Sequence, residues 1–357
     1  MTDLANLPRY DAAQTYDWNY AHAPEPVEVD VPALRGAWDF CGLKVASPLG
    51  VAAGPLLNGR WVRYYASLGF DVLTYKTVRS VERACYAMPN LVPVDTSVLA
   101  GGQMAGGEAS VPAAAKMGRT WAVSFGMPSK APEVWRADVE ETRKLLPRDK
   151  VLVVSVVATE QPGWTIDDMA ADYARCARWA VESGADAVET NFSCPNVCTS
   201  DGQLYQQPAD AARCAAAVRE AIGRTPYVVK VGHIRNAEEA AALTAAIGPH
   251  VDGLAMTNSV AAPVRSDDGT LLFDGAPRGI CGAAILEASL AQTRMVRQVV
   301  TQRYLREAVK PAALVGVGGA FSAEDVRRYL VAGAASVHLA TAVMVEPGVA
   351  LAIRAGW

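Results

Sequence analysis

Asn191-Phe-Ser-Cys-Pro-Asn196 sets a carboxamide on either side of one thiol, with Pro195 stiffening the backbone between them. An ionised thiol is a base or a nucleophile. Paired carboxamides can grip a planar ligand through matched donors and acceptors. The same loop also reads as a turn capped by its Asn side chains, with Cys194 as filler. Two lysines, Lys76 and Lys230, end apolar runs, where an anionic partner would offset their desolvation. Gly316-Val-Gly-Gly319 precedes a helix start, and Ala340-Thr341 lies one unit later. Bare backbone N–H groups and a helix N-terminus together suit a phosphate. No Gly-Lys-Ser/Thr follows, so this is not a nucleoside-triphosphate loop. Phe125-Gly126-Met127 could present backbone N–H groups to a ligand, or be a plain turn. The four histidines never reach ligand spacing with each other or with acids, and Cys194 with Cys198 lacks a second pair or a nearby His, so no metal is expected. The remaining cysteines read as packing residues, and no cysteine cluster suits an iron–sulfur centre.

These residues need strands to aim them. Trp38 to Val45 reads as a hairpin. Apolar strands are expected at Pro48–Gly54, Val72–Tyr75, Trp121–Ser124, Val151–Val157, Ala187–Asn191, Tyr227–Val231, Leu254–Thr257, Ala313–Val317 and Val337–Ala340. Helices follow at Trp61–Leu68, Pro132–Leu146, 165–183, 209–222, Ala237–Ile247, 282–303 and 322–333, with Thr165 and Ser322 opening capping boxes. A short helix follows Thr341. Residues 81–120 break the rhythm as a long insertion of the kind that forms lids, and 260–281 reads as a loop. Roughly eight strand–helix units predict an α/β fold, a (β/α)8 barrel. Lys76, Ser124, Asn191, Asn196, Lys230, Asn258, Gly318 and Thr341 all fall at strand C-terminal ends, the face of a barrel that carries its active site. Residues 1–37 are expected to be an irregular extension, and 38–357 one barrel domain.

Composition narrows the partners. Of the 357 residues, 51% are hydrophobic, enough for a large core, and the formal net charge is −4. That balance offers no basic field for nucleic acid. Seven scattered cysteines, with no basic and apolar leader at the N-terminus, predict a reducing cytoplasmic setting. No apolar run is long enough to span a membrane. A homodimer and a separate electron-transfer subunit are both compatible with the chain.

Over residues 38–350 the chain resembles the dihydroorotate dehydrogenases, flavin-dependent (β/α)8 barrels. Pro48–Gly54 is similar to the family's first flavin strand, Tyr75-Lys76-Thr77 to the strand whose Lys approaches flavin and substrate, and Ser124–Ser129 to its substrate loop. Asn191–Asn196 is similar to its active-site motif, Val229-Lys230 to its flavin Lys, and Thr257-Asn258-Ser259 to a further substrate contact. Gly316–Gly319 and Ala340–Ala342 resemble its FMN phosphate site. The resemblance implies FMN as cofactor, contacted by Ala52, Ala53, Gly54, Lys76, Thr77, Asn191, Lys230, Thr257, Gly282, Gly318, Gly319, Ala340 and Thr341. It implies dihydroorotate as substrate, held by Lys76, Phe125, Gly126, Met127, Asn191, Asn196, Asn258 and Ser259. Cys194 would be the general base, as in the family's soluble class 1 members; its membrane-associated class 2 members use Ser. Five features depart from the pattern. Val123 stands where the family usually has Asn, Leu286-Glu287 replaces Lys-Pro, Ala340 replaces Gly, and 1–37 and 81–120 are unusual. Val123 favours, as an alternative, a related flavoenzyme for another dihydropyrimidine, small cyclic amide or enone. A second alternative is a barrel that binds a phosphorylated ligand without redox turnover.

Overall fold

The computed structural model describes residues 4–97, 99, 110–193, 198–199, 202–308 and 311–357. Eight parallel strands close a barrel: β1 (Leu49–Val51), β2 (Val72–Val78), β3 (Val151–Val156), β4 (Ala187–Asn191), β5 (Tyr227–Lys230), β6 (Gly253–Met256), β7 (Ala313–Val317) and β8 (Ser336–Leu339). β8 pairs with β1 to complete the ring. These strands are buried along their length because helices cover the outside and side chains fill the inside. Alternation sorts the side chains. Val153, Ala187, Val228, Ala255 and Val315 form the interior cluster, whereas Leu152, Val154, Val188, Val229 and Leu254 join the larger cluster under the helices. Both expected capping boxes are present, Thr165 with Asp168 and Ser322 with Asp325.

The N-terminal ends of the strands carry a repeated stitch. Asp186 precedes β4 and accepts from the Leu152 backbone N–H at 2.8 Å and from Arg143 at 2.5 Å. Asp252 precedes β6 and accepts from the Tyr227 N–H at 2.9 Å and from Arg219 at 2.5 Å. Asp71 precedes β2, is fully buried, and meets Ser47, Lys150 and Arg354. Each acid satisfies a strand-end N–H or a buried cation that would otherwise be orphaned. The hairpin of Trp38–Phe40 and Leu43–Val45 plugs this end. Its turn, Cys41 at φ 50° and Gly42 at φ 94°, has the left-handed pair that tight hairpins require. Phe40 stacks on the inward-facing His338 at 5.5 Å.

The C-terminal end differs from the sequence expectation. Thr120–Val123 is not a barrel strand. It joins Leu91–Pro93, Arg278–Gly282 and Val260–Ala262 in a four-stranded antiparallel sheet. Ser124 therefore ends a strand of this sheet and not of the barrel. A short apolar run has the same local pattern in either sheet, and partners supplied by the 81–120 and 260–281 segments decided between them. The segment read as a loop over 260–281 thus contains strands. Gly282 ends one of them, and the long helix begins later than expected, spanning Leu286–Glu307 after a 3-10 turn. Both segments leave C-terminal ends of barrel strands, β2 and β6, so the small sheet caps the mouth.

Within the stretch expected to be irregular, Thr15 caps a helix over Tyr16–Ala21. It is tied to the barrel's first helix, Gly59–Ser67, through Trp61 donating to the Asn19 carbonyl at 3.1 Å and Asn58 to that of Tyr20 at 2.8 Å. Leu7, Tyr10 and Tyr16 belong to the main core. Among the described residues, no helix is long and apolar enough to cross a membrane.

Candidate active site

The mouth of the barrel is polar on the inside. From β5, Lys230 lies 3.3 Å from the Glu189 carboxylate of β4, and both side chains are almost wholly buried. Glu189 accepts from Ser155 Oγ of β3 at 2.8 Å, and Ser155 Oγ lies 3.0 Å from Thr77 Oγ1 of β2. Strict alternation would send Thr77 outward after the inward Lys76. An irregularity between Tyr75 and Val78 shifts the register and brings both residues to the inside. Lys76 is buried beside it. One level lower, burial and the nearby Lys230 hold the His338 imidazole down to about 3, so it is neutral.

On the same rim, Asn191, Ser193 and Asn258 form one hydrogen-bonded group. Ser193 donates to Asn191 Oδ1 through its backbone N–H at 3.1 Å and its hydroxyl at 2.9 Å, and Asn258 Nδ2 donates to Ser193 Oγ at 2.9 Å. Asn191 Nδ2 reaches Met127 Sδ at 3.3 Å, which connects this group to the 125–129 loop. That loop is held from several sides. Arg83 and Ser129 exchange backbone hydrogen bonds at 2.9 and 3.0 Å. Arg79, fully buried, donates Nε to the Met127 carbonyl at 3.1 Å. Tyr10 and Tyr16 of the extension pack edge-on against Phe125 at 6.1 and 6.5 Å. Gly126 sits at φ 71°, and a Cβ there would meet the Tyr86 ring at 2.5 Å. Met127 also adopts a left-handed φ of 52°. A cleft lined in part by Tyr16, Tyr20, Lys76, Thr77 and Lys130 runs between the extension and this loop.

A second cluster lies around β7 and β8. Gly318 and Gly319 have φ of 118° and 79°. Cβ atoms there would strike Ser289 Oγ at 2.5 Å and the Leu286 backbone N at 2.7 Å, so the start of the long helix rests directly on the two glycines. Thr341 opens the helix after β8 and donates to Cys281 Sγ at 3.4 Å. Burial pushes the Cys281 thiol up to about 11, so it remains protonated. Gly282 packs on Arg119, where a Cβ would come within 2.0 Å of the carbonyl oxygen. Across the ring, Ala52 and Ala53 are buried, and Gly54 faces open space with nothing within 4 Å of a Cβ. Thr257 donates to Gln292 Oε1 at 3.1 Å, and Ser259 lies against Gly279.

The structure therefore gathers Lys76, Thr77, Asn191, Lys230, Thr257 and Asn258 at one mouth, with the glycine cluster on its rim. Cys194 and Asn196 lie outside the described residues. Glu189, Ser155 and Arg79 were not singled out from the sequence. Their signal was a polar residue at the inward register of an apolar strand, or just past its end.

A sequence profile described as "Dihydroorotate dehydrogenase" matches residues 37–355. The chain belongs to the dihydroorotate dehydrogenase family. It is an oxidoreductase of that type, acting on a CH–CH bond. A dihydroorotate dehydrogenase of Dictyostelium discoideum is 29% identical over 332 residues, covering 88% of this chain and 86% of its own. The catalytic subunit of dihydroorotate dehydrogenase B (NAD(+)) of Desulforudis audaxviator is 28% identical, covering 90% and 91%. Dihydroorotate dehydrogenase (quinone) of Acidovorax ebreus is 27% identical, covering 89% and 84%. Two of these relatives are named for different acceptors, so the likeness bears on the half-reaction that the relatives share.

Proposed function

We propose that the protein oxidises dihydroorotate to orotate at the barrel mouth with FMN as its cofactor. The observation that carries this reading is the convergence of two buried lysines, Lys76 and Lys230, with the Asn191–Ser193–Asn258 group. A buried cation needs an anionic or strongly polar partner, and Glu189 supplies one for Lys230. The residues present fit FMN. Gly318, Gly319 and Thr341 would hold its phosphate beside a helix start, and Ala52, Ala53 and Gly54 offer a bare backbone beside open space. Thr77, Lys230 and Thr257 would meet the ring system. FMN, when bound, supplies the hydride acceptor.

The chain's own residues do the rest. Asn191 and Asn258 orient the substrate ring, and Lys76 offsets the charge of its carboxylate. Cys194 Sγ takes the proton from the ring carbon next to a carbonyl. A free thiol ionises at about 8.5, so turnover should rise with pH up to that region. Val123 supports a second reading, a different dihydropyrimidine or cyclic amide as substrate. It is half-buried against apolar neighbours and pairs with Leu91 and Gly279, so it brings no hydrogen bond to the mouth.

The test is to add dihydroorotate without oxygen to the purified protein and follow the flavin band near about 450 nm. Rapid bleaching that is lost in Cys194→Ala is expected. A yellow protein that dihydroorotate leaves oxidised would sink the dihydroorotate reading in favour of another ring. A colourless protein that takes up no added FMN would sink both redox readings.

A further inference from the structure

We infer that Ser193 sets the polarity of the two carboxamides, so that the site selects a ring carrying a carbonyl for Asn191 and an N–H for Asn258. This rests on the reading of the mouth as a site for a dihydropyrimidine-type ring. The argument needs no assumption about which way either amide points. The Ser193 backbone N–H can only donate, and it lies 3.1 Å from one terminal atom of Asn191. That atom must be the acceptor, Oδ1, so Nδ2 faces away as a donor. Ser193 Oγ lies 2.9 Å from the same oxygen. Two oxygens at that separation need a proton between them, and Asn191 Oδ1 has none to give, so the hydroxyl hydrogen is spent there. The hydroxyl can then only accept from Asn258, at 2.9 Å, so the facing atom is Nδ2. Asn258 therefore keeps Oδ1 for another partner. Asn191 Nδ2, meanwhile, reaches Met127 Sδ at 3.3 Å. A thioether is a weak acceptor, and a ring carbonyl would displace it.

One hydroxyl thus passes a fixed direction from the main chain to both side chains. Asn191 presents a donor and Asn258 an acceptor. The complement is a cyclic amide or imide with a C=O and an N–H. A ring methylated on that nitrogen meets Asn258 Oδ1 with no hydrogen. Ser193 is a positioning residue here, since it acts through the two carboxamides.

The two sides depend on Ser193 differently, and this makes the inference testable. In Ser193→Ala the backbone N–H still holds Asn191 Oδ1, but Asn258 loses the acceptor that held its Nδ2 and is free to turn. The alanine variant should therefore lose the N–H side and keep the C=O side. Calorimetry with the FMN-loaded protein would compare orotate, orotates methylated on either ring nitrogen, and thioxo analogues whose sulfur is a poor acceptor. The wild type should prefer orotate over one N-methyl isomer by about tenfold or more, the order of one lost buried hydrogen bond. Ser193→Ala should bring that preference close to unity, keep the discrimination against the thioxo analogue, and raise KM for dihydroorotate about tenfold with kcat within about threefold. Ser193→Thr, which retains the hydroxyl, should restore the preference. Equal losses for every ligand, or a fall in kcat with KM unchanged, would mean that Ser193 merely supports the loop, and would overturn the inference. If dihydroorotate fails to reduce the wild-type flavin, the functional reading falls by itself. The same comparison with uracil and its N-methyl derivatives then decides the role of Ser193, upheld if the preference exists and vanishes in Ser193→Ala, and overturned otherwise.

Discussion

Val123 and Glu189 show how one side chain changes what a rim can do. At Val123 the mouth has an isopropyl group where the resemblance leads one to expect a carboxamide. A buried polar partner gained or lost is worth about 1–3 kcal/mol, roughly 5–150-fold in affinity. Val123→Asn should therefore tighten dihydroorotate by about tenfold if that ring is the substrate, which KM and orotate titrations would check. Glu189 is the partner of Lys230 at 3.3 Å, and both are buried. Removing one member of such a pair leaves an uncompensated charge, at about 3–5 kcal/mol. Glu189→Gln should lower thermal stability in the FMN-free protein. It should do so less in the loaded protein, where an anionic or polar cofactor edge would share the lysine. Scanning calorimetry with and without FMN would separate the two. From the sequence, Lys230 was legible as a lysine ending a buried strand. Glu189 was not, because an acid one register step below a catalytic-looking loop has no distinctive spacing of its own.

At the scale of elements, the extension and the 125–129 loop form one unit. Tyr16 is buried against Phe125, while the Lys130–Asp17 ion pair at 2.7 Å involves an aspartate that is 70% exposed. Magnitudes decide which contact matters. An exposed pair contributes at most about 1 kcal/mol, whereas truncating a buried aromatic costs about 3–5 kcal/mol. Asp17→Ala should leave KM within about twofold. Tyr16→Ala should raise it about tenfold or more, because the loop that carries Met127 loses one of its walls. Steady-state kinetics of the two variants checks the contrast. The Thr165 and Ser322 capping boxes were readable because a cap and its partner lie three residues apart. The sheet membership of Thr120–Val123 was not readable, because its partners come from segments far away in the chain.

For the whole molecule, the ring is closed by stitches at one end and works at the other. Asp71, itself fully buried, faces the buried Arg354 and the partly buried Lys150. Asp71→Asn should cost about 3–5 kcal/mol by leaving the buried Arg354 guanidinium without its carboxylate, read by chemical denaturation, without changing the reaction at the opposite mouth. His338 adds a pH dependence. Its folded value near 3 lies below its ordinary 6.5 because it is buried, with Lys230 beside it. The unfolded chain therefore binds the extra proton first. Stability should be complete above about pH 6.5 and fall as pH drops toward 3, by up to about 1.4 kcal/mol per pH unit. His338→Leu should flatten that slope in denaturation series between pH 7 and 4. The amino-acid sequence by itself determined the alternation of strand and helix, the caps, and the polar residues at strand ends, because each is written in the spacing of near neighbours. Three things were decided only in the tertiary structure: which strand left the barrel for the capping sheet, which acid faces Lys230, and which way Asn258 points. Each depends on atoms brought within about 3 Å of one another, the range of a hydrogen bond, from remote parts of the chain.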